Sequence, residues 1–232
     1  MDIILVPGLW LDASSWAPVL PALRTAGHRP RPLTMPGVGS PAPESSGIGM
    51  ADWVAAVVEQ IDAAEHPVVL VGHSGGGNVV WGAADARPEQ VQHVVFVDTV
   101  PPAPDSSISE FPLVDGVVPF PGWDFFPDED VYDLDDTVRE RTLPLTHSVP
   151  ARVPTDPLPL TRESRHGIPV TLLMGAYDQT RFDAESEGWG EFGREYRSIA
   201  HARVVRVGSG HWPQFTAPQR LAELLVDAVG VD

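Results

Sequence analysis

The chain has 232 residues, 15 basic against 32 acidic side chains and a net charge of −17, with no cysteine and no lysine. A charge of that sign repels nucleic acid and anionic membranes, the missing cysteine excludes disulfides and thiol chemistry, and no stretch is long enough to span a bilayer. The length suits one domain with a sizeable core, and the start, Met1-Asp2-Ile3, lacks the basic region of a signal peptide, so a cytoplasmic location is expected.

In chain order, Ile3–Val6 is apolar throughout and predicts a strand buried on both faces of a parallel sheet. Pro7-Gly8-Leu9-Trp10 turns out of it. Ser14 or Ser15 is expected to cap a helix running through Trp16, Val19, Leu20 and Leu23 to Gly27. Pro30–Thr34 reads as a weak second strand, and Pro36–Pro41 as turn chemistry. Gly47–Ala64 carries Trp53, Val57, Val58 and Ile61 at helical spacing. Val68–Val71 is a second buried strand. It runs into Gly72-His73-Ser74-Gly75-Gly76, after which a helix rich in small residues starts near Asn78. Val91–Val97 is a further strand, ending at Asp98.

From 101 to 165 the texture changes. Proline is frequent, acids cluster at Asp128–Asp130 and Asp133–Asp136, and Phe111, Phe120, Trp123, Phe125 and Phe126 punctuate the run. Long structureless loops are uncommon in compact domains unless functional, so an inserted cap is expected here, its aromatics toward the site and its acids toward water. The core would then be residues 1–100 and 166–232. Ile168–Met174 is a strand leading into Gly175-Ala-Tyr-Asp178, and Phe182–Ser198 is helical in part. Ala202–Val207 is a strand followed by Gly208-Ser-Gly-His211, and Ala217–Val229 closes the chain as a helix. Strands alternating with helices predict an α/β architecture, a mostly parallel doubly wound sheet.

Gly72-His-Ser-Gly-Gly76 fits G-x-S-x-G between a buried strand and a helix, the context of a nucleophile elbow. A serine at the tip of so sharp a turn takes a strained backbone, and the residues two either side must lack bulk. The helix start points N–H groups at the site, suited to a developing oxyanion. A serine hydroxyl is a poor nucleophile without a base, and the base needs an orienting acid. His211 is the expected base, in a turn directly after a strand and on the same sheet edge as Ser74. His28, His66, His93 and His201 stand near strand starts, His147 and His166 in or near the insertion, and His73 is expected to point away from the nucleophile. Two acids compete. Asp178 is favoured because its strand is next in order before that of His211; Asp98 is the alternative.

Together, Val6-Pro-Gly-Leu-Trp10, Gly72-His-Ser-Gly-Gly76, Gly175-Ala-Tyr-Asp178 and Gly208-Ser-Gly-His211 resemble the α/β-hydrolase superfamily, and within it the small esterases related to plant methylesterases and hydroxynitrile lyases. The resemblance spans the chain apart from the insertion. It implies an oxyanion hole from the N–H groups of Leu9 and Gly75, and it supports Asp178, although some members place the acid one strand earlier. The family's loop after the first strand usually begins with histidine, where this chain has Pro7.

By the same resemblance, aspartate-nucleophile dehalogenation or epoxide opening is excluded by Ser74, and dienelactone-type chemistry by the missing cysteine. The lyase mechanism is disfavoured by the missing lysine. The leading expectation is a cofactor-free serine hydrolase acting on an ester or lactone of a small, neutral, mainly apolar substrate, contacted by Trp10, Phe120, Trp123, Phe125 and Phe126. C–C bond hydrolysis or another non-hydrolytic reaction on the same residues, or ligand binding without turnover, are the alternatives. Gly188-Trp-Gly-Glu-Phe-Gly193 matches G-x-G-x-x-G but follows no clear strand and lies among acids, which would repel a phosphate. No metal-binding signature such as H-E-x-x-H is present.

Overall fold

The computed structural model describes residues 1–230. Strands β1 (Asp2–Val6), β2 (Arg29–Pro32), β3 (Val68–His73), β4 (Val91–Val97), β7 (Val170–Met174) and β8 (Ala202–Arg206) form one sheet in the order β2-β1-β3-β4-β7-β8, every pair parallel. Along the chain between β4 and β7, a separate two-stranded antiparallel sheet is formed by β5 (Val117–Val118) and β6 (Val149–Pro150). The helices are α1 (Leu20–Thr25), α2 (Ala42–Ser45), α3 (Met50–Asp62), α4 (Gly76–Ala86), α5 (Asp128–Val131), α6 (Asp136–Thr142), α7 (Gln179–Ser186), α8 (Gly190–Ser198), α9 (Pro213–Thr216) and α10 (Pro218–Val229). None of the described helices is long and apolar enough to cross a membrane.

Side chains alternate across each strand, so both faces of this sheet must be covered. Ile4 and Val6 pack with Trp53, Val57, Val80 and Trp81 of α3 and α4; Ile3 and Leu5 pack with Trp16, Leu23, Leu221 and Leu225 toward α1 and α10. At roughly 25 cal/mol per Å² of apolar surface buried, these two layers are the main stabilising term.

The chain leaves β1 for β2 on one side and returns to β3 on the other. The crevice above the carboxyl ends of β1 and β3 is therefore a topological switch point, where open α/β sheets bind ligands. Both expected oxyanion donors and Ser74 follow these two strands.

The first helix differs from expectation. Asp12, rather than Ser14 or Ser15, caps a short 3-10 turn, Ala13–Trp16, by accepting from the Ser14 N–H, and α1 starts only at Leu20. Pro18 and Pro21 lack the N–H donors that one continuous helix needs. The segment Phe182–Ser198 divides into the end of α7 and the whole of α8.

Candidate active site

β3 delivers Ser74 in a left-handed backbone conformation, φ 50°, half-buried at the start of α4. Such a turn brings strand and helix into contact. A Cβ on Gly72 would lie 2.6 Å from the Gly76 carbonyl oxygen, and one on Gly76 would lie 2.5 Å from that of Pro7. Both glycines are thus required by space rather than by dihedral angle. Ser74 donates its own N–H to the Val97 carbonyl at 3.1 Å, which ties the elbow to β4.

The loop after β1 lies directly against the elbow. A Cβ on Gly8 would touch the His73 ring and sit 3.1 Å from Ser74 Cβ; one on Gly75 would meet Leu9 Cγ at 3.0 Å. Among the described residues, neither the Leu9 nor the Gly75 N–H has a backbone acceptor, so two donors remain available beside Ser74. Trp10 takes φ 66°, and its carbonyl receives the His147 N–H at 2.7 Å, while His147 Nε2 lies 3.0 Å from Asp12 Oδ2.

His211 follows β8, and its Nδ1 lies 2.7 Å from Oδ2 of Asp98. This corrects the expectation for the acid. Asp178 is exposed, and its Oδ1 accepts the Arg181 N–H at 2.9 Å as the N-cap of α7. The carboxylate that meets His211 stands at the end of β4, with φ 46° at Asp98. Its second oxygen accepts the Gly175 N–H at 2.7 Å. A Cβ on Gly175 would collide with the Ser209 carbonyl oxygen, so this glycine lets the β7 and β8 loops close around Asp98.

The hydrogen bonding fixes the tautomers. An ionised carboxylate only accepts, so His211 carries its proton on Nδ1 and leaves Nε2 as a proton acceptor. Burial pushes the Asp98 carboxyl up, but the hydrogen bond it accepts from His211, its attraction to that ring once protonated and the Gly175 N–H outweigh it and hold Asp98 below the ordinary aspartate value. His73 is fully buried, and burial followed by the nearby His211 lowers it to about 3, so it stays neutral. Its Nε2 donates to the His211 carbonyl at 2.7 Å, and its Nδ1 accepts from Gln214 Nε2 at 3.3 Å. His73 thus holds the backbone of His211.

The aromatic residues gather around Trp10. Its ring meets Phe111 at 4.9 Å and Phe120 and Phe126 each at 5.9 Å, edge to face. Phe126 continues to Trp212 at 4.7 Å, and Trp212 to His211 at 4.8 Å. Trp123 is buried in a satellite cluster with Leu11, Trp212 and Phe215, whereas Phe125 is exposed, its ring against those of Phe111 and Phe126. Phe111 is one of the insertion aromatics expected toward the site, whereas Ile108, whose Cδ1 lies over Gly75, and Trp212 stand there without a sequence expectation. Trp212 adjoins His211 in sequence, a signal that was available.

Residues 3–224 match the Alpha/beta hydrolase family across nearly the whole chain. The chain belongs to that family. It is 25% identical, over 99% of its length and 98% of the other's, to a probable hydrolase, R7, of a Phoma species. It is 35% identical to a carbendazim hydrolyzing esterase of a Nocardioides species, over 48% of this chain and 47% of that one. A crystal structure of a methylesterase from Arabidopsis superposes with a TM-score of 0.73 at 20% identity, covering 99% of this chain and 98% of the other. At that identity the superposition speaks for the fold. As a member of this family with esterase relatives, the protein is a hydrolase.

Proposed function

We propose that this hydrolase cleaves a carboxylic ester or lactone of a small, mainly apolar and neutral substrate through an acyl-enzyme on Ser74. The observation that carries the reading is the 2.7 Å contact between His211 Nδ1 and Asp98, which leaves Nε2 of His211 as the base. Ser74 Oγ attacks the carbonyl carbon while its proton passes to His211 Nε2. The imidazolium so formed is stabilised by Asp98. The carbonyl oxygen, now an oxyanion, accepts from the N–H groups of Leu9 and Gly75; losing one such donor typically costs about 10²–10³ in turnover. Collapse expels the alcohol oxygen, which takes the proton back from His211. Water then attacks the acyl-Ser74 ester by the same route, giving the acid and regenerating the serine.

Residues 101–165 act in this reading as a cap. Trp10, Phe111, Phe120 and Phe126 form an apolar edge-to-face group beside the Leu9 donor, which supports an apolar substrate group. The net charge of −17 supports a neutral one.

Rapid mixing with excess p-nitrophenyl acetate tests the acyl-enzyme. The expected trace is a burst of p-nitrophenol stoichiometric with enzyme, followed by slower turnover, with both phases lost in Ser74→Ala. A burst that survives in Ser74→Ala would place the nucleophile elsewhere.

A further inference from the structure

His211 ends a short turn that begins at Gly208, φ 82°. The last two N–H groups of that turn do not bond within the core. The Gly210 N–H donates to Oδ2 of Asp133 at 2.8 Å, and the His211 N–H donates to the carbonyl oxygen of Asp130, also at 2.8 Å. Both acceptors belong to the inserted segment, Asp130 in α5 and Asp133 just beyond its end. The fit is close. A Cβ on Gly210 would collide with the Asp130 carbonyl oxygen and lie 2.5 Å from Asp133 Oδ1.

Among the described residues the Asp133 carboxylate makes no hydrogen bond within the insertion. The cap of α6 is Asp135, which accepts the Val138 N–H. Oδ1 of Asp133 is buried and, among the described residues, has no hydrogen-bond partner. A buried oxygen left unpaired is destabilising, and a native chain that keeps one needs a reason.

We propose that Asp133 is a positioning residue for His211: its carboxylate, together with the Asp130 carbonyl, clamps the Gly208–His211 turn onto the inserted segment and so holds the imidazole on Asp98. The inference rests on the reading of His211 as the catalytic base. His73 supports the same residue from the core side, through its Nε2 bond to the His211 carbonyl. The base is therefore held between core and insertion. The stretch from Asp130 to Asp133 cannot swing as a free lid, because moving it would release the Gly210 and His211 N–H groups together.

The test compares Asp133→Asn and Asp133→Ala with wild type. It measures kcat and KM on p-nitrophenyl acetate, the rate of Ser74 labelling by a fluorophosphonate, and the low-field proton resonance of His211 Nδ1–H. Asparagine keeps an acceptor for the Gly210 N–H and should hold kcat within about 3-fold of wild type. Alanine removes it, and a base displaced by about an ångström costs on the order of 10²-fold. That loss should fall on kcat and on labelling, with KM nearly unchanged and the low-field proton weakened. Should Asp133→Ala not fold, Asp133→Ser, too short to reach Gly210, is expected to show the same losses. An alanine or serine variant that folds and labels at the wild-type rate would overturn the clamp, as would an asparagine variant as impaired as they are. Wild type that does not label at all would instead overturn the reading of Ser74 and His211 on which the clamp rests.

Discussion

Asp98→Asn should lower kcat on an activated ester by about 10⁴-fold, the scale seen when the acid of such a triad is replaced isosterically. The cause is the tautomer. An asparagine amide can donate to Nδ1 of His211, which then carries its proton on Nε2 and cannot accept one from Ser74. The change keeps an oxygen for the Gly175 N–H, so the fold should survive. Asp178→Asn should leave kcat within about 2-fold, because asparagine caps a helix as well as aspartate does and Asp178 serves α7. Steady-state kinetics and a thermal melt of each variant check both statements. The opposite ranking would return the acid to Asp178.

Arg165→Met should cost about 3–5 kcal/mol of stability, the range for breaking a buried ion pair from one side. Arg165 is 3% exposed and reaches Glu195 through Nε and Nη2, at 2.8 and 2.9 Å, and Asp85 through Nη1 at 3.2 Å. These contacts tie α4 and α8 to the turn that precedes β7. Methionine fills similar volume but leaves two buried carboxylates without their cation. For a chain of this length each kcal/mol moves the melting temperature by roughly 2–4 °C, so Tm should fall by about 6–20 °C. The pH dependence has a definite sign. Burial raises the Glu195 carboxyl, but hydrogen bonds from Arg165 and Trp81 and the charges of Arg165 and His166 outweigh it and lower the group below its usual 4.5. A carboxyl depressed on folding stabilises the protein above its unfolded value, and that contribution is lost as pH falls through the lower folded value. The stability gap between wild type and Arg165→Met should therefore be full near pH 7 and narrow below about pH 4.5. Urea titrations across that range check it, and a gap that widens on acidification would contradict the assignment.

The core strands were legible because burial on both faces leaves a near-continuous apolar run, as in Ile3–Val6 and Val68–Val71. The elbow was legible because a strand that turns straight into a helix demands glycine at 72 locally and at 76 against the loop after β1, so both glycines flank the serine in the sequence. His211 could be picked from its place after β8. The carboxylate that meets it could not, since Asp98 and Asp178 both follow strands that end on the same sheet edge. What separates them is the path of the chain after β7. Asp178-Gln-Thr-Arg181 opens a helix, and an aspartate there is committed to capping, a signal that the sequence did contain. The partner of His73 was not legible, because the place of a side chain on its strand does not name what it meets, and the partner is a backbone carbonyl far along the sequence. Residues 101–165 were legible only as a change of texture. Their short helices and two-residue strands have no periodicity to read, and tertiary contacts, such as Asp133 with Gly210, set their shape. The break between Trp16 and Leu20 was readable in Pro18 and Pro21 but was overridden by the apolar spacing around them.

The central claim, that Ser74 is an activated nucleophile, is tested most directly by intact mass after treatment with a fluorophosphonate, on wild type and on Ser74→Ala. A single adduct on wild type that is absent from Ser74→Ala is the predicted result. Folded wild-type protein that gains no adduct, or Ser74→Ala protein that gains the same one, would contradict it.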